Sequence, residues 1–159
     1  MRGNDNMSRV KIGDVFKIEV SQGKAYFQYI YNDEVCGELI RILPEIYDSD
    51  FDDFSRLVKG NTKYLIHFPL KAAYNRNIVS FIANHDIPNS FSLPKYFRDD
   101  KRDKDGHLIA WQIVNYQTLQ RETVDQLTEE QKKLSQWGTW NDTLLIERIS
   151  EDWTLDDWV

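Results

Sequence analysis

The chain predicts an α+β fold: a single domain with one bent, barrel-like antiparallel sheet covered by a few short helices. Three observations carry that expectation. Between Val10 and Tyr31 an alternating apolar and polar stretch and a second, aromatic-rich one stand on either side of a polar, glycine-bearing turn, the pattern of a hairpin. Ser49 with Asp52, and Thr128 with Gln131, stand at capping-box spacing, so short helices interrupt the strands. His107 to Tyr116 offer apolar residues to both faces, as a covered central strand does.

In chain order, Phe16, Ile18 and Val20 alternate with Lys17 and Glu19, the period-two mark of a half-buried strand. Ser21 to Lys24 supply a turn of roughly three to five residues. Ala25 to Tyr31 follow as a second strand with Phe27, Tyr29 and Tyr31 on one face. Two strands are marginal alone, so later segments must extend and cover them. Cys36 to Leu43 read as a third strand, ended by Pro44 because proline brings no N–H to a ladder. Phe51, Phe54, Leu57 and Val58 recur at helical spacing and predict a helix over 50–59, stopped by Gly60 and packed on the sheet. Lys63 to Phe68 read as a strand, Pro69 opens a short helix with Leu70, Ala73 and Tyr74 inward, and Asn77 to Ala83 give another strand. Two prolines and the charged run RDDKRDKDG (98–106) predict a long surface loop over 84–105, closed by a turn at Asp105 and Gly106. In the strand that follows, Ile109, Trp111 and Ile113 share one face, and Trp111 and Ile113 are expected in one core with Phe16, Ile18 and Val20. Thr128 to Gln136 form a short helix stopped at Gly138, and Leu144 to Ile149 the last strand. Residues 1–9 are expected to be irregular and 10–159 to be one domain, since no repeat or Gly/Ser linker marks a boundary.

A chain of about 150 residues buries roughly 70% of its unfolded surface, so this core needs neither metal nor disulfide. The net charge of −6 favours solubility and opposes non-specific binding to nucleic acid. The single cysteine, Cys36, excludes an intrachain disulfide and fits a reducing compartment. No apolar run approaches the roughly 18 residues of a membrane span, and MRGNDNMSR lacks the apolar segment of a signal peptide. The expectation is a cytoplasmic protein with neither a membrane nor a nucleic-acid partner.

Few residues point to chemistry. His67, His85 and His107 are the only histidines, spaced far wider than a short metal motif. They could converge in space with Asp86 or Asp105, but as strand and loop residues they need no such role. Cys36, in an apolar strand without a neighbouring His or Lys, reads as an inert buried thiol. No nucleophile elbow, phosphate loop or dinucleotide fingerprint occurs. Lys95, Arg98, Lys101, Arg102 and Lys104 are interleaved with Asp99, Asp100, Asp103 and Asp105, so their charges nearly cancel and a solvated loop is the better reading than a nucleic-acid patch. No catalytic residue, metal ligand or cofactor site is assigned, and the chain reads as a binding protein rather than an enzyme.

The acidic segments are more informative. Glu45, Asp48, Asp50, Asp52 and Asp53 crowd a predicted helix start, and Asp156 and Asp157 flank Trp158 near the C-terminus. Helix capping and solubility account for such residues in most proteins. The functional reading is a surface that steers a basic partner, with Trp158 as an anchor, because tryptophan is enriched at interface hot spots. The same tryptophan, and Trp153 with it, also fit simple packing on their own domain. These eight residues are the interface candidates.

VKIGDVFKIEV (10–20), then AYFQYIY (25–31), PKYFR (94–98), WQI (111–113) after a glycine-containing turn, and LTEE (127–130) together resemble the immunity protein 26 family of bacterial polymorphic toxin systems. The likeness spans roughly 11–149, and its motifs are short. One departure is that Asn115, Tyr116 and Gln117 stand where a glycine is expected soon after the Trp-x-Ile strand. The resemblance implies a small cytoplasmic α+β protein that binds and neutralises a cognate toxin without a cofactor, a basic nuclease-type toxin domain being the partner its charge would match. The family label also takes in a small phosphotriesterase. It thereby implies, as an alternative, a metal-dependent hydrolase using His67, His85 or His107 with nearby carboxylates, although no catalytic residue carries over. A third reading is a regulatory domain whose sheet binds a peptide edge-on.

Overall fold

The hairpin anticipated between Val10 and Tyr31 lies within a five-stranded antiparallel sheet in the computed structural model, which describes residues 9–50 and 52–158. The irregular start expected over 1–9 therefore falls, apart from Arg9, outside the described residues, as does Phe51. The strands are β1 (Asp14–Val20), β2 (Gly23–Asp33), β3 (Gly37–Tyr47), β4 (Tyr64–His67) and β5 (Val79–Asn84), in the order β4-β3-β2-β1-β5. The first turn is tighter than expected, with Ser21 and Gln22 alone between the paired Val20 and Gly23. Glycine is required at 23: φ is +145°, and a Cβ there would lie 2.2 Å from the Tyr47 carbonyl oxygen.

Both faces of this sheet are filled with rings. Phe16 and Phe27, directly opposite in the ladder, stack at 5.7 Å, with Tyr74 and Phe81 edge-on to Phe16 and Phe68 edge-on to Phe27. On the other face Tyr26 and Leu43 pack with Leu57, and Phe54 meets Tyr26 at 5.0 Å. Leu57 and Phe54 belong to α1 (Phe54–Val58), so this helix packs on the sheet as its spacing predicted. It is shorter than expected, and its N-cap is Asp53, which accepts from the Arg56 backbone N–H, rather than Ser49. The second helix, α2 (Leu70–Asn75), follows Pro69 and buries Leu70 and Ala73.

Two local expectations fail in this part of the chain. β3 runs through Pro44 to Tyr47 instead of stopping. Between Phe27↔Ile42 and Ala25↔Ile46 the register slips, and β4 pairs only as far as Ile42, so Pro44 sits at a bulge where no ladder needs its N–H. Leu144 to Ile149 form not a strand but part of a third helix, α3 (Asp142–Ser150). The Asn141 side chain caps it, and Leu145 and Ile149, one turn apart, are its buried residues.

Beside α3, Tyr64, Trp140 and Trp153 meet edge to face at 5.2–5.6 Å, with the Arg148 guanidinium over both tryptophans. The buried Tyr64 hydroxyl finds no hydrogen-bond partner among the described residues. Leaving such a group unpaired costs about 1–3 kcal/mol. Tyr64→Phe is therefore expected to leave stability unchanged or to raise it by up to about 1 kcal/mol in chemical denaturation. A loss greater than that would show that the hydroxyl is bonded.

The chain is divided between two compact units: the first comprises the chain up to Phe91 with Thr139–Trp153, the second Ser92–Gly138 with the residues from Thr154 onward. The second unit holds a three-stranded antiparallel sheet of β6 (Tyr96–Arg102), β7 (Leu108–Asn115) and β8 (Arg121–Val124). β7 is central, and beyond its exposed start buries Trp111 and Ile113 on one face and Ala110 and Val114 on the other. Trp111 and Ile113 thus lie in a different sheet from Phe16, Ile18 and Val20. Of the loop expected over 84–105, residues 85–95 and 103–105 hold no helix or strand, but the first part of the charged run, 98–102, belongs to β6. Its charges pair laterally, Arg121 with Asp99 at 3.1 Å and Arg102 with Asp100 at 2.7 Å, as suits an edge strand. Phe97 and Arg98 are buried. The turn at Gly106 is as expected, with φ +87°. Thr128 and Gln131 do exchange both capping-box bonds, at 2.9 and 3.1 Å, although only a 3-10 turn (Gln131–Lys133) follows them. The fold is α+β with antiparallel sheets, and neither sheet closes into a barrel.

Candidate functional site

The end of β3 and the approach to α1 bring five of the interface candidates together. Glu45, Asp48, Asp50, Asp52 and Asp53 are all exposed. Three of them have structural work. Glu45 accepts from the Tyr47 hydroxyl at 2.6 Å; with burial, that bond pushes the phenol up to about 12. Asp50 accepts from Lys17 Nζ at 3.0 Å and holds that amine above its ordinary pKa. Asp53 caps α1 and pairs with Arg56 Nε at 3.2 Å. Asp48 and Asp52 form no ion pair among the described residues. Adjoining this acidic segment is a cleft of about 420 Å³, with Pro44, Tyr47 and Leu57 as its apolar floor and Glu45, Arg56 and Asn61 as its polar rim. A cleft of that size admits a large side chain or a short peptide segment.

The C-terminal candidates lie in the second unit, where Asp156 is exposed and Asp157 and Trp158 are used by the fold. Asp157 closes a capping box with Thr154, accepting from its N–H at 2.9 Å. The Trp158 indole N–H donates to Asp100 Oδ2 at 3.2 Å, and its ring meets Trp111 at 5.1 Å. Between those two rings lies Arg98, its guanidinium 4.5 Å from Trp158 and 5.1 Å from Trp111. Arg98 is fully buried and donates to four carbonyls: Leu134 at 3.0 Å, Trp158 at 2.7 Å, and Lys132 and Leu155 at 2.9 Å each. Burial lowers its pKa to about 10, against the raising effect of Asp156 and Asp100, so it stays charged at neutral pH. Trp153 likewise packs within its own unit, against Tyr64 and Trp140.

A second buried cation, Arg41, sits in β3 of the first unit. It donates to Gln28 Oε1 at 2.8 Å, to Thr62 Oγ1 at 3.1 Å and to the Val58 carbonyl. Gln28, itself fully buried, passes the network on to the carbonyls of Gly13 at 3.1 Å and His85 at 2.8 Å. Burial lowers the Arg41 pKa to about 10. Sequence reasoning missed both arginines, since nothing distinguishes them locally from solvated ones.

The histidines do not gather. His67 is buried in β4, and His85 follows β5 with its backbone N–H on the Gly13 carbonyl. His107 stands in the exposed β6–β7 turn with Asp103 and Asp105, where one ligand atom of each lies within 4.8 Å of the others. The Asp103 carboxylate accepts the backbone N–H groups of His107 and Asp105, each at 2.9 Å, which holds it below the usual carboxylate range. That carboxylate shapes the turn. Cys36 lies in the β2–β3 turn, not in a strand, because Asp33 draws the chain round by accepting from the Val35 and Cys36 N–H groups. Burial and then the Asp33 charge push the thiol up to about 11, so it is protonated at neutral pH. Among the described residues no helix is long and apolar enough to cross a membrane. No protein-family model matches the chain, and comparison with curated proteins and with solved structures likewise finds no match.

Proposed function

We propose that this chain is an immunity protein that neutralises a cognate toxin by occlusion, meeting a basic face of it with the acidic segment 45–53. The observation that supports this reading is the juxtaposition of five exposed carboxylates with an apolar-floored cleft. Opposite charge raises the rate of encounter, and a buried apolar anchor lengthens residence. The family resemblance in the strand motifs points the same way, and nuclease-type toxins, which handle phosphates, are commonly basic.

Asp48 and Asp52 are the informative positions, because Asp50 and Asp53 also hold the fold. Asp48→Lys with Asp52→Lys should leave the unfolding midpoint in place and slow association with the cognate toxin, sought in the neighbouring gene, by about tenfold at low salt. The slowing should shrink as the Debye length falls from about 30 Å at 0.01 M to about 8 Å at 0.15 M. An unchanged association rate at low salt would remove this face from the interface.

A further inference from the structure

On the first unit a groove of about 660 Å³ is lined by Arg9, Lys11, Ile12, Asp14, Tyr74, Phe81 and Asn84. Its chemistry is the reverse of the acidic cleft. Arg9 and Lys11 are exposed, and among the described residues neither makes an ion pair, whereas Lys17, Lys24, Arg56 and Lys63 of the same unit all do. The one acid present, Asp14, is buried, and both its oxygens are engaged: Oδ2 accepts from the Lys11 N–H at 2.8 Å and Oδ1 from Asn84 Nδ2 at 2.9 Å. The outward charge is therefore positive. Between the cations the groove exposes apolar surface, with Ile12 at 47% and Phe81 at 45%, beside the Tyr74 ring. Scattered exposed apolar residues are ordinary, but here the two lie in one groove beside these cations and could be covered together.

Phe81 lies in β5, the sheet's edge, which pairs with β1 on one side only. An edge strand can take a further strand on its outer side through main-chain hydrogen bonds, while neighbouring pockets select side chains. We propose that this groove docks an extended acidic peptide segment of a partner protein along β5, its apolar side chain against Ile12 and Phe81 and its carboxylates on Arg9 and Lys11. The site is independent of the acidic cleft and stands if that reading fails. A small anion would use the two cations but would leave both the strand edge and the exposed apolar pair unused.

A random peptide library panned on the full chain supplies the probe. Selected peptides should combine acidic residues with an aromatic or aliphatic one, and should shift the backbone amides of Val79–Asn84 in NMR titration. Arg9→Glu with Lys11→Glu should weaken them by about tenfold or more, the scale of a lost charge-paired contact. Lys101→Glu with Lys104→Glu, which changes the net charge equally but in the second unit, should not. Selected peptides without acidic bias, or equal affinity for the Arg9/Lys11 variant, would overturn the proposal. So would shifts that bypass β5, or ATP shifting the groove residues where no selected peptide does.

Discussion

Arg98→Ala is expected to cost about 3–5 kcal/mol of unfolding free energy, because a polar group left buried and unpaired costs about 1–3 kcal/mol and Arg98 serves several at once. Alanine would leave four carbonyls, those of Leu134, Lys132, Leu155 and Trp158, without the donor they share. It would also empty the space between the Trp111 and Trp158 rings, where the guanidinium stacks. All of these carbonyls belong to short 3-10 turns or the irregular chain beside them, so one side chain ties 132–134 and 155–158 to the sheet. Arg98→Lys should recover only a minor part. An ammonium offers three donors from a point, cannot reach four carbonyls in a plane, and does not stack as a flat group does. Denaturant unfolding followed by tryptophan emission measures this directly, because Trp111 and Trp158 are the rings that would lose their cation. A loss below about 1 kcal/mol for Arg98→Ala would mean that the tail holds itself.

Why the sequence disclosed some elements and concealed others follows from where each signal resides. Phe16, Ile18 and Val20 carry a local period of two that only a strand satisfies, and β1 is there. Leu144 to Ile149 is a short apolar run whose pattern fits strand or helix. Asn141, which caps α3, lies outside the run and decides the matter. β6 was hidden because its charges look like those of a loop. They are tolerated in a strand because cross-strand partners, Arg121 for Asp99, arrive from a segment more than twenty residues on. The acidic face was legible as composition, and all five of its carboxylates are exposed. Its cleft was not, because Pro44, Leu57 and Asn61 meet only after β3 and α1 have packed. The basic groove was equally concealed: Arg9 and Lys11 precede Phe81 by some seventy residues, and only the β1–β5 pairing sets them side by side.

Arg41 offers the second large effect, and it bears on that groove. Its guanidinium is fully buried, and its hydrogen-bond acceptors are Gln28, Thr62 and the Val58 carbonyl, all neutral. Gln28 then holds the Gly13 and His85 carbonyls, the one next to Ile12 and the other next to Asn84, both groove residues. Gly13 allows this closeness: its φ is +98°, and a Cβ there would come within 2.7 Å of the His85 oxygen. Arg41→Ala is expected to cost about 2–5 kcal/mol, because Gln28 Oε1 and the Val58 carbonyl are each left buried and unpaired at about 1–3 kcal/mol. Gln28→Ala should cost a comparable amount, about 2–5 kcal/mol, since it takes the acceptor from the buried Arg41 Nε–H and the donor from the Gly13 and His85 carbonyls. Because the two side chains share a bond, their double variant should fall short of the sum, with a coupling of about 0.5–3 kcal/mol. Hydrogen exchange separates this from general weakening. If the network pins the groove's rim, Gln28→Ala should speed exchange at the His85 amide, which donates to Gly13, well before the β2–β3 ladder loosens. Uniform acceleration across the sheet, or additive single variants, would show that Arg41 and Gln28 support the core separately and that the groove owes its shape to the β1–β5 pairing alone.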